Sequence, residues 1–216
     1  MKRTILALAV AVAFLTMLMP ASANVVPPFT GSGVVAPTQI FIDPMTYGSA
    51  VISTGAVPFS FGGVHNNKNV GTVVETVRRE SGTNYLFFVF QVTVTGGTTG
   101  DIERISTGDW DNSTYIDALQ YQDGGSVAST SVDRNGLGTV GINFDSPLVT
   151  KGNTSWEVVL YTHSTQYVDG TIGLIDSGSN PSIPGYVAAA TPEPATLSLL
   201  GLGLVGLGTL RKKLRK

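Results

Sequence analysis

The segment 85–95 (YLFFVFQVTVT) carries apolar side chains on both faces of one extended strand. Successive side chains of a β-strand point to opposite faces, so residues two apart share a face. One face of this segment is apolar throughout, and the other is apolar over its first half. The continuous face consists of Leu86, Phe88, Phe90, Val92 and Val94. A strand with two apolar faces must be covered on both, so we predict a central strand of a packed sheet.

Other parts of the chain repeat the period of two. The segments 140–144 and 156–161 alternate apolar with less apolar residues and predict half-buried strands. Short runs rich in β-branched and aromatic residues predict further strands at 34–42, 48–61, 70–79, 101–106, 114–121, 126–132 and 167–175. No sustained 3.6-residue apolar period occurs between them. The pattern therefore predicts an all-β domain, either a β-sandwich or a jelly-roll-like fold.

Composition excludes several classes of site. The 216-residue chain contains no cysteine, which excludes a disulfide framework, a zinc–cysteine site and a thiol nucleophile. Residues 24–190 include 14 acidic and six basic side chains, a net charge of −8, whereas the whole chain carries −2. An acidic surface repels phosphate backbones, so we predict no nucleic-acid partner.

The N-terminal 23 residues have the three parts of an export signal peptide. A basic start, Lys2 and Arg3, is followed by fifteen mostly apolar residues and then by a small-residue Ala-x-Ala site. Fifteen residues are fewer than the ~20 that a spanning helix needs, which favours a removable signal over an anchor. We therefore predict that cleavage after Ala23 uses Ala21 and Ala23 and leaves Asn24 as the new N-terminus.

The C-terminal end combines an apolar run with a basic cluster. Residues 195–210 carry no charge and, as a helix rising ~1.5 Å per residue, would extend roughly 24 Å toward a ~30 Å hydrocarbon core. Because basic side chains reach the interface and the bilayer can thin, we expect a single transmembrane helix. The basic cluster consists of Arg211, Lys212, Lys213, Arg215 and Lys216. Its charge holds this end in the cytoplasm and places the preceding domain across the membrane.

A Pro-Glu-Pro motif, Pro192-Glu193-Pro194, precedes the apolar run. Each proline fixes its own φ and moves the preceding residue out of the helical region, so we expect an extended, accessible strip. The order of motif, apolar run and basic cluster over 191–216 closely resembles the PEP-CTERM sorting signal of exported bacterial proteins. The resemblance implies a Gram-negative envelope, a transient inner-membrane anchor and processing near the motif by the membrane enzyme exosortase. A permanent single-span anchor is the alternative.

These patterns divide the chain into five parts. We predict a signal peptide at 1–23, an N-terminal arm at 24–32, a β-sandwich at 33–175, a linker at 176–190 and the sorting segment at 191–216. The arm and the linker show no strand alternation. The linker is expected to space the domain from the membrane until its release to the cell surface or the extracellular space.

Carboxylates and aromatic residues cluster between residues 108 and 123. Asp109, Asp111 and Ser113 have the spacing of calcium ligands, but Gln120 stands where a calcium loop has its closing glutamate. We expect no cofactor and no metal, with calcium as the weak alternative. A candidate sugar-stacking patch in this segment consists of Asp109, Trp110, Asp111, Tyr115 and Tyr121. Core packing of these aromatic rings is the competing interpretation, and full burial of Trp110 against Phe88 or Phe90 would argue against a glycan-binding or glycan-cleaving domain built on this patch.

No catalytic constellation is visible in the sequence. His65 and His163 lie in different segments, and the chain has neither a G-x-S-x-G turn nor an H-E-x-x-H motif. We therefore expect a non-enzymatic protein of the cell surface or extracellular matrix, which the resemblance links to exopolysaccharide or biofilm. Its expected partners are the secretion machinery, exosortase and extracellular polysaccharide. The alternative is a glycan-binding or glycan-cleaving β-sandwich with the same sorting tail.

Overall fold

The computed structural model describes residues 25–26, 33–40, 44–46, 48–62, 68–97, 101–110, 115–135, 137–176 and 181–189. These ranges contain fourteen β-strands, one short 3-10 turn at Pro44–Thr46 and no α-helix. The strands are β1 (Val25–Val26), β2 (Gly33–Val35), β3 (Thr38–Ile40), β4 (Gly48–Ser53), β5 (Val57–Gly62), β6 (Lys68–Glu80), β7 (Leu86–Gly96), β8 (Arg104–Gly108), β9 (Ile116–Tyr121), β10 (Ser131–Arg134), β11 (Val140–Asn143), β12 (Glu157–Thr162), β13 (Tyr167–Ile175) and β14 (Ser182–Ala188).

The strands form two sheets. Sheet A has the order β1-β9-β12-β7-β6-β4, with β3 also paired to β9 and β5 also paired to β6. Sheet B has the order β14-β13-β8-β11-β10-β2. Among the named strands, β3 pairs with β9 in parallel and the other pairs are antiparallel. One hydrophobic core receives side chains from both sheets, so the predicted all-β sandwich is confirmed.

Alternation of side chains builds this core. In β8, β9 and β10 every second residue is buried, so each strand gives one face to the core and the other to its surroundings. Burial of a large aliphatic or aromatic side chain contributes about 1.5–3 kcal/mol. Fully buried side chains between the sheets include Phe88, Phe90, Ile105, Ile142 and Leu174.

Strand β7 is buried on both faces, as its sequence predicts. It lies inside sheet A between β12 and β6. On the face turned away from the main core, Phe87 and Val89 pack with Val159 of β12 in a second hydrophobic cluster. Leu119 and Tyr161 pack against that cluster. The outer face of sheet A therefore has an apolar floor of its own.

The segment 48–61, predicted as one strand, forms two. β4 ends at Ser53, β5 begins at Val57, and both pair with β6. Gly55 lies in the break with a φ of 65°, which glycine adopts without steric cost. Thr54, next to this glycine, makes two hydrogen bonds with the main chain of Glu75. Its N–H donates to the Glu75 oxygen at 3.0 Å, and its Oγ1 accepts from the Glu75 N–H at 3.0 Å.

The predicted linker at 176–190 is wrong over much of its length. Ser182–Ala188 form β14, which pairs with seven residues of β13, and Val187 and Ala188 are buried in the core. The next residue, Ala189, donates its N–H to the Gln166 oxygen at 3.0 Å. In the predicted N-terminal arm, Val25 and Val26 form β1 and pair with β9. The folded domain is therefore longer at both ends than predicted.

An ion pair crosses the outer face of sheet B. Arg104 donates from Nη2 to Asp133 Oδ1 at 2.7 Å and from Nη1 to Asp133 Oδ2 and to Asn143 Oδ1. Burial alone would raise the pKa of Asp133, but the hydrogen bonds from Arg104 and Asn143 and the Arg104 charge lower it below its usual value. The guanidinium lies over Gly141, where a Cβ would come 1.9 Å from Arg104 Cζ.

Candidate functional site

Trp110 is a core residue. It is 2% exposed, and its ring meets Phe88 edge to face with centroids 5.0 Å apart. Its Nε1–H donates to Thr107 Oγ1 at 2.9 Å, which satisfies the polar atom of the buried ring. The predicted sugar-stacking role of Trp110 is therefore wrong, and the competing prediction of core packing is confirmed for this residue.

The rest of the predicted patch is divided between the two sheets. Asp109 is exposed directly after β8 of sheet B, with a φ of 71°. Tyr121 is half-buried at the end of β9 in sheet A, Tyr115 is half-buried directly before that strand, and Asp111 lies outside the described residues. The patch is thus not assembled around a tryptophan, although Tyr115 and Tyr121 lie in or next to the same strand.

Of the residues at the predicted calcium positions, Asp109 and Gln120 lie within the described ranges. Gln120 is buried, and its Oε1 accepts from the Ser129 N–H at 3.1 Å and from Ser129 Oγ at 3.0 Å. Asp111 and Ser113 lie outside the described residues, so the calcium alternative stays a prediction. Within the described ranges, no group of three or more His, Asp or Glu side chains is arranged to hold a metal ion.

The outer face of sheet A contains a cleft of about 290 Å³. Its floor is the second hydrophobic cluster, to which Phe87 of β7 and Val159 of β12 belong and against which Leu119 of β9 packs. Strand β3 and the 3-10 turn after it supply a wall. The lining residues are Ile40, Pro44, Glu80, Phe87, Asp117, Leu119, Val159 and Tyr161. We call this feature the outer-face cleft.

Two carboxylates border the outer-face cleft. Tyr161 Oη donates to Glu80 Oε2 at 2.7 Å, and Thr83 Oγ1 donates to the same oxygen. Burial, together with the hydrogen bond to Glu80 and its negative charge, raises the pKa of Tyr161. Tyr161 therefore keeps its proton and holds Glu80 in place. No described lining residue carries a positive charge.

Asp117 is the second carboxylate of the cleft. It lies opposite Tyr161 in the β9–β12 register and is half-buried. Burial raises its pKa, while the hydrogen bond from the Ala118 amide opposes the shift. Its Oδ1 is buried and has no hydrogen-bond partner among the described residues. A buried acceptor without a donor costs about 1–3 kcal/mol, so Asp117 gains from any ligand or water that brings a donor within reach.

An aromatic stack lies beside the cleft. His163 is stacked between Tyr115, at a centroid distance of 4.0 Å, and Tyr85, at 4.9 Å. The edge of the Tyr161 ring faces both Tyr85 and His163. Burial lowers the pKa of His163, so its ring is neutral at pH 7 and packs as an aromatic side chain.

Sequence reasoning missed the cleft residues Glu80 and Tyr161. Tyr161 is the last residue of a predicted strand, and Glu80 directly follows another. They come close together only because β6 and β12 are both neighbours of β7 in sheet A. The turn at 81–84 (SGTN) is a local signal that joins β6 to β7. Nothing local indicates that β12 lies on the other side of β7.

The targeting residues lie outside the described ranges. These are the signal-peptide site at Ala21, Ala23 and Asn24, the Pro192-Glu193-Pro194 motif, the predicted helix at 195–210 and the basic cluster. In the part of the chain that the structure describes, no helix has the length and apolar character needed to cross a bilayer. The signal-peptide and helix predictions therefore stay predictions.

Comparison with known protein families bears directly on the C-terminal end. Residues 190–213 match the family described as the PEP-CTERM protein-sorting motif. Searches among curated proteins and among solved structures gave no match. The matched segment indicates an exported protein that passes through the membrane. Its sorting signal is of the PEP-CTERM type, which exosortase-type machinery processes.

Proposed function

We propose that this protein is a non-catalytic component of the cell surface or extracellular matrix. The supporting observation is the position of the sorting motif relative to the fold. β14 ends at Ala188, and the motif match begins at residue 190. Processing near Pro194 would remove the apolar and basic segments and leave the β-sandwich whole. The product is then a folded domain free of its anchor.

Extracellular polysaccharide is the proposed partner of the released domain. The outer-face cleft supports this proposal, because its carboxylates accept hydrogen bonds above an apolar floor. A sugar ring offers the complementary chemistry, with hydroxyl donors at its rim and C–H groups on its faces. The acidic domain disfavours anionic ligands, so neutral or amino-bearing sugar units are the favoured class.

A non-catalytic role fits the state of the polar groups at the cleft. Glu80 is held by Tyr161 and Thr83, and His163 is engaged in the aromatic stack. These contacts favour binding over proton transfer. Release of reducing sugar by the purified protein would contradict this part of the proposal.

Sorting is tested in the native host with the substitution Glu193→Ala. The expected result is retention of the full chain in the membrane fraction, while the unmodified chain reaches the surface or the medium. Glu157→Ala, in β12 of the folded domain, serves as the control for loss of a glutamate. Equal release of all three chains would contradict exosortase-dependent delivery.

Binding is tested separately by calorimetry with two soluble probes, a hexasaccharide of glucose and a hexasaccharide of N-acetylglucosamine. We expect at least one probe to bind, and Asp117→Ala to weaken it about tenfold, which corresponds to ~1.4 kcal/mol. Asp169→Ala, an exposed acid on sheet B, is the matched control. Binding that is unchanged in Asp117→Ala would place the site elsewhere.

A further inference from the structure

A carboxyl group lies in the hydrophobic core. Glu75 is 0% exposed and points into the space between the sheets, on the same face of β6 as Val73 and Val77. These two neighbours are also fully buried. A buried ionised carboxylate without a cation is strongly disfavoured and takes up a proton instead.

Within the described ranges, the carboxyl group of Glu75 makes one hydrogen bond, which its neutral form retains. Its Oε2 accepts from the Tyr186 N–H at 2.8 Å, while Oε1 is buried and has no hydrogen-bond partner among the described residues. Burial raises the pKa of Glu75 to about 8, and the hydrogen bond from Tyr186 opposes the shift. With Oε2 as the carbonyl oxygen and the proton on Oε1, the one strong bond is kept and no charge is buried.

The partner of Glu75 belongs to the opposite sheet. Tyr186 lies on β14, the end strand of sheet B, which pairs with β13. An end strand leaves alternate backbone groups unpaired, and Glu75 satisfies one of them. Gly185 makes the approach possible, because a Cβ there would lie 2.7 Å from Glu75 Oε2. A glutamate on one sheet and a glycine on the other are thus matched at one contact.

A cavity flanks this contact at the edge of the sandwich. It has a volume of about 400 Å³, and its lining includes Thr54, Asp169, Gly185 and Tyr186. Water thus has space next to β14. Among β4, β5, β6, β7, β13 and β14, the other titratable groups are Lys68, Arg78, Arg79 and Glu80 of β6, Tyr167 and Asp169 of β13, and the hydroxyl of Tyr186. Asp169 is exposed and carries the same charge as ionised Glu75, so it does not stabilise that form.

We propose that Glu75 is a proton-dependent latch for the C-terminal strand. The protonated carboxyl group fastens β14 to sheet A, and loss of the proton leaves an uncompensated charge that weakens the docking of β14. The chain enters the sorting motif directly after this strand, so alkaline conditions loosen the part of the domain next to the processing signal. That consequence for processing rests on the proposed function, whereas the latch itself does not.

The test is hydrogen exchange of the full chain, followed by mass spectrometry at pH 6 and pH 8 and corrected for the intrinsic pH dependence of exchange. As the pH rises from 6 to 8, the equilibrium constant for the opening of β14 should increase about tenfold or more, because the opened state releases a proton that the closed state holds. Peptides from β11, in the interior of sheet B, serve as the internal reference. The substitution Glu75→Gln keeps a neutral acceptor and should abolish the pH effect on β14.

A second variant keeps the test decisive if Glu75→Gln does not fold. Glu75→Met is apolar and similar in size, so it should fold and show the same pH-independent exchange in β14. Asp145→Asn, which alters an exposed acid, should behave as the unmodified chain. Exchange of β14 that is independent of pH in the unmodified chain, or equally dependent in Glu75→Gln, would overturn the latch. The readout involves neither export nor ligand binding, so it is independent of the proposed function.

Discussion

At the scale of single residues, Trp110 shows how burial decides the role of an aromatic side chain. Its ring fills the core against Phe88 and bonds Thr107. Removal of a ring of this size from a core costs about 3–5 kcal/mol. We therefore expect Trp110→Ala to lower the free energy of unfolding in urea by that amount. Trp156→Ala, at a half-buried position, should cost less. Equal costs would mean that Trp110 is not packed as described.

Gly141 makes a second prediction at this scale. The Arg104 guanidinium occupies the space of a Cβ at residue 141, so Gly141→Ala must displace Arg104 from Asp133. We expect a loss of about 1–3 kcal/mol in unfolding free energy, because the pair is partly buried and the carboxylate would lose both Arg104 donors and keep only its hydrogen bond from Asn143. Gly96→Ala is the matched control, since the nearest atom to its Cβ would be 3.5 Å away. Equal stability of the two variants would contradict the Arg104 geometry.

Individual residues were predictable where their environment is local. Alternation alone placed Phe88 and Phe90 in the core, and the structure buries both. Glu75 and Asp117 were not predictable in the same way. Glu75 lies on the apolar face of β6, yet only the identity of its partner across the sandwich, Tyr186, explains why a carboxyl group is there. Such contacts join residues 111 positions apart, and no short pattern records them.

Among the elements, β14 departs most from the sequence prediction, because it is a paired strand where a linker was expected. It covers one edge of β13 and buries Val187 and Ala188. We expect a chain of residues 24–189 to unfold cooperatively and a chain of residues 24–176 to lose cooperative unfolding. The shorter chain lacks that burial and leaves β13 unpaired on one side. Circular dichroism during urea titration distinguishes the two, and identical transitions would restore the interpretation of 176–190 as a linker.

Most strands were predictable because polar and apolar residues alternate along them. β14 was missed because Pro184 and Gly185 interrupt the pattern at its centre. An end strand tolerates both residues, because the backbone N–H that proline lacks is not needed where no further strand pairs. Gly185 also leaves room for the Glu75 carboxyl group, and this requirement comes from the opposite sheet rather than from the local sequence. The division of 48–61 into β4 and β5 was missed because Gly55 is a weak local signal for the break.

At the scale of the whole molecule, two carboxylates set opposite limits on stability. Burial raises the pKa of Glu75 from its ordinary value of 4.5 to about 8, so between these values the folded state holds a proton that the unfolded chain has released. Stability therefore falls as pH rises toward 8, by on the order of 5 kcal/mol for a fully buried group at about 1.4 kcal/mol per tenfold change in proton affinity. Asp133 has a lowered pKa, so its contribution is present above the unfolded value and is lost as pH falls.

The expected result is a stability maximum in the mildly acidic range. Urea unfolding of the full chain should give a larger free energy at pH 5.5 than at pH 8.5. In Glu75→Gln that difference should shrink, because the glutamine does not titrate. Greater stability at pH 8.5 than at pH 5.5 in the unmodified chain would contradict a proton held by folded Glu75 at pH 5.5.

We expect the β-sandwich to be delivered and freed by processing at both ends of the chain. The intact mass of the protein, recovered separately from the membrane and from the extracellular fraction of the native host, tests both ends at once. We expect an extracellular species that begins at Asn24 and ends near Pro194. A membrane-bound species that still ends at Lys216, with no shorter form outside the cell, would contradict this expectation.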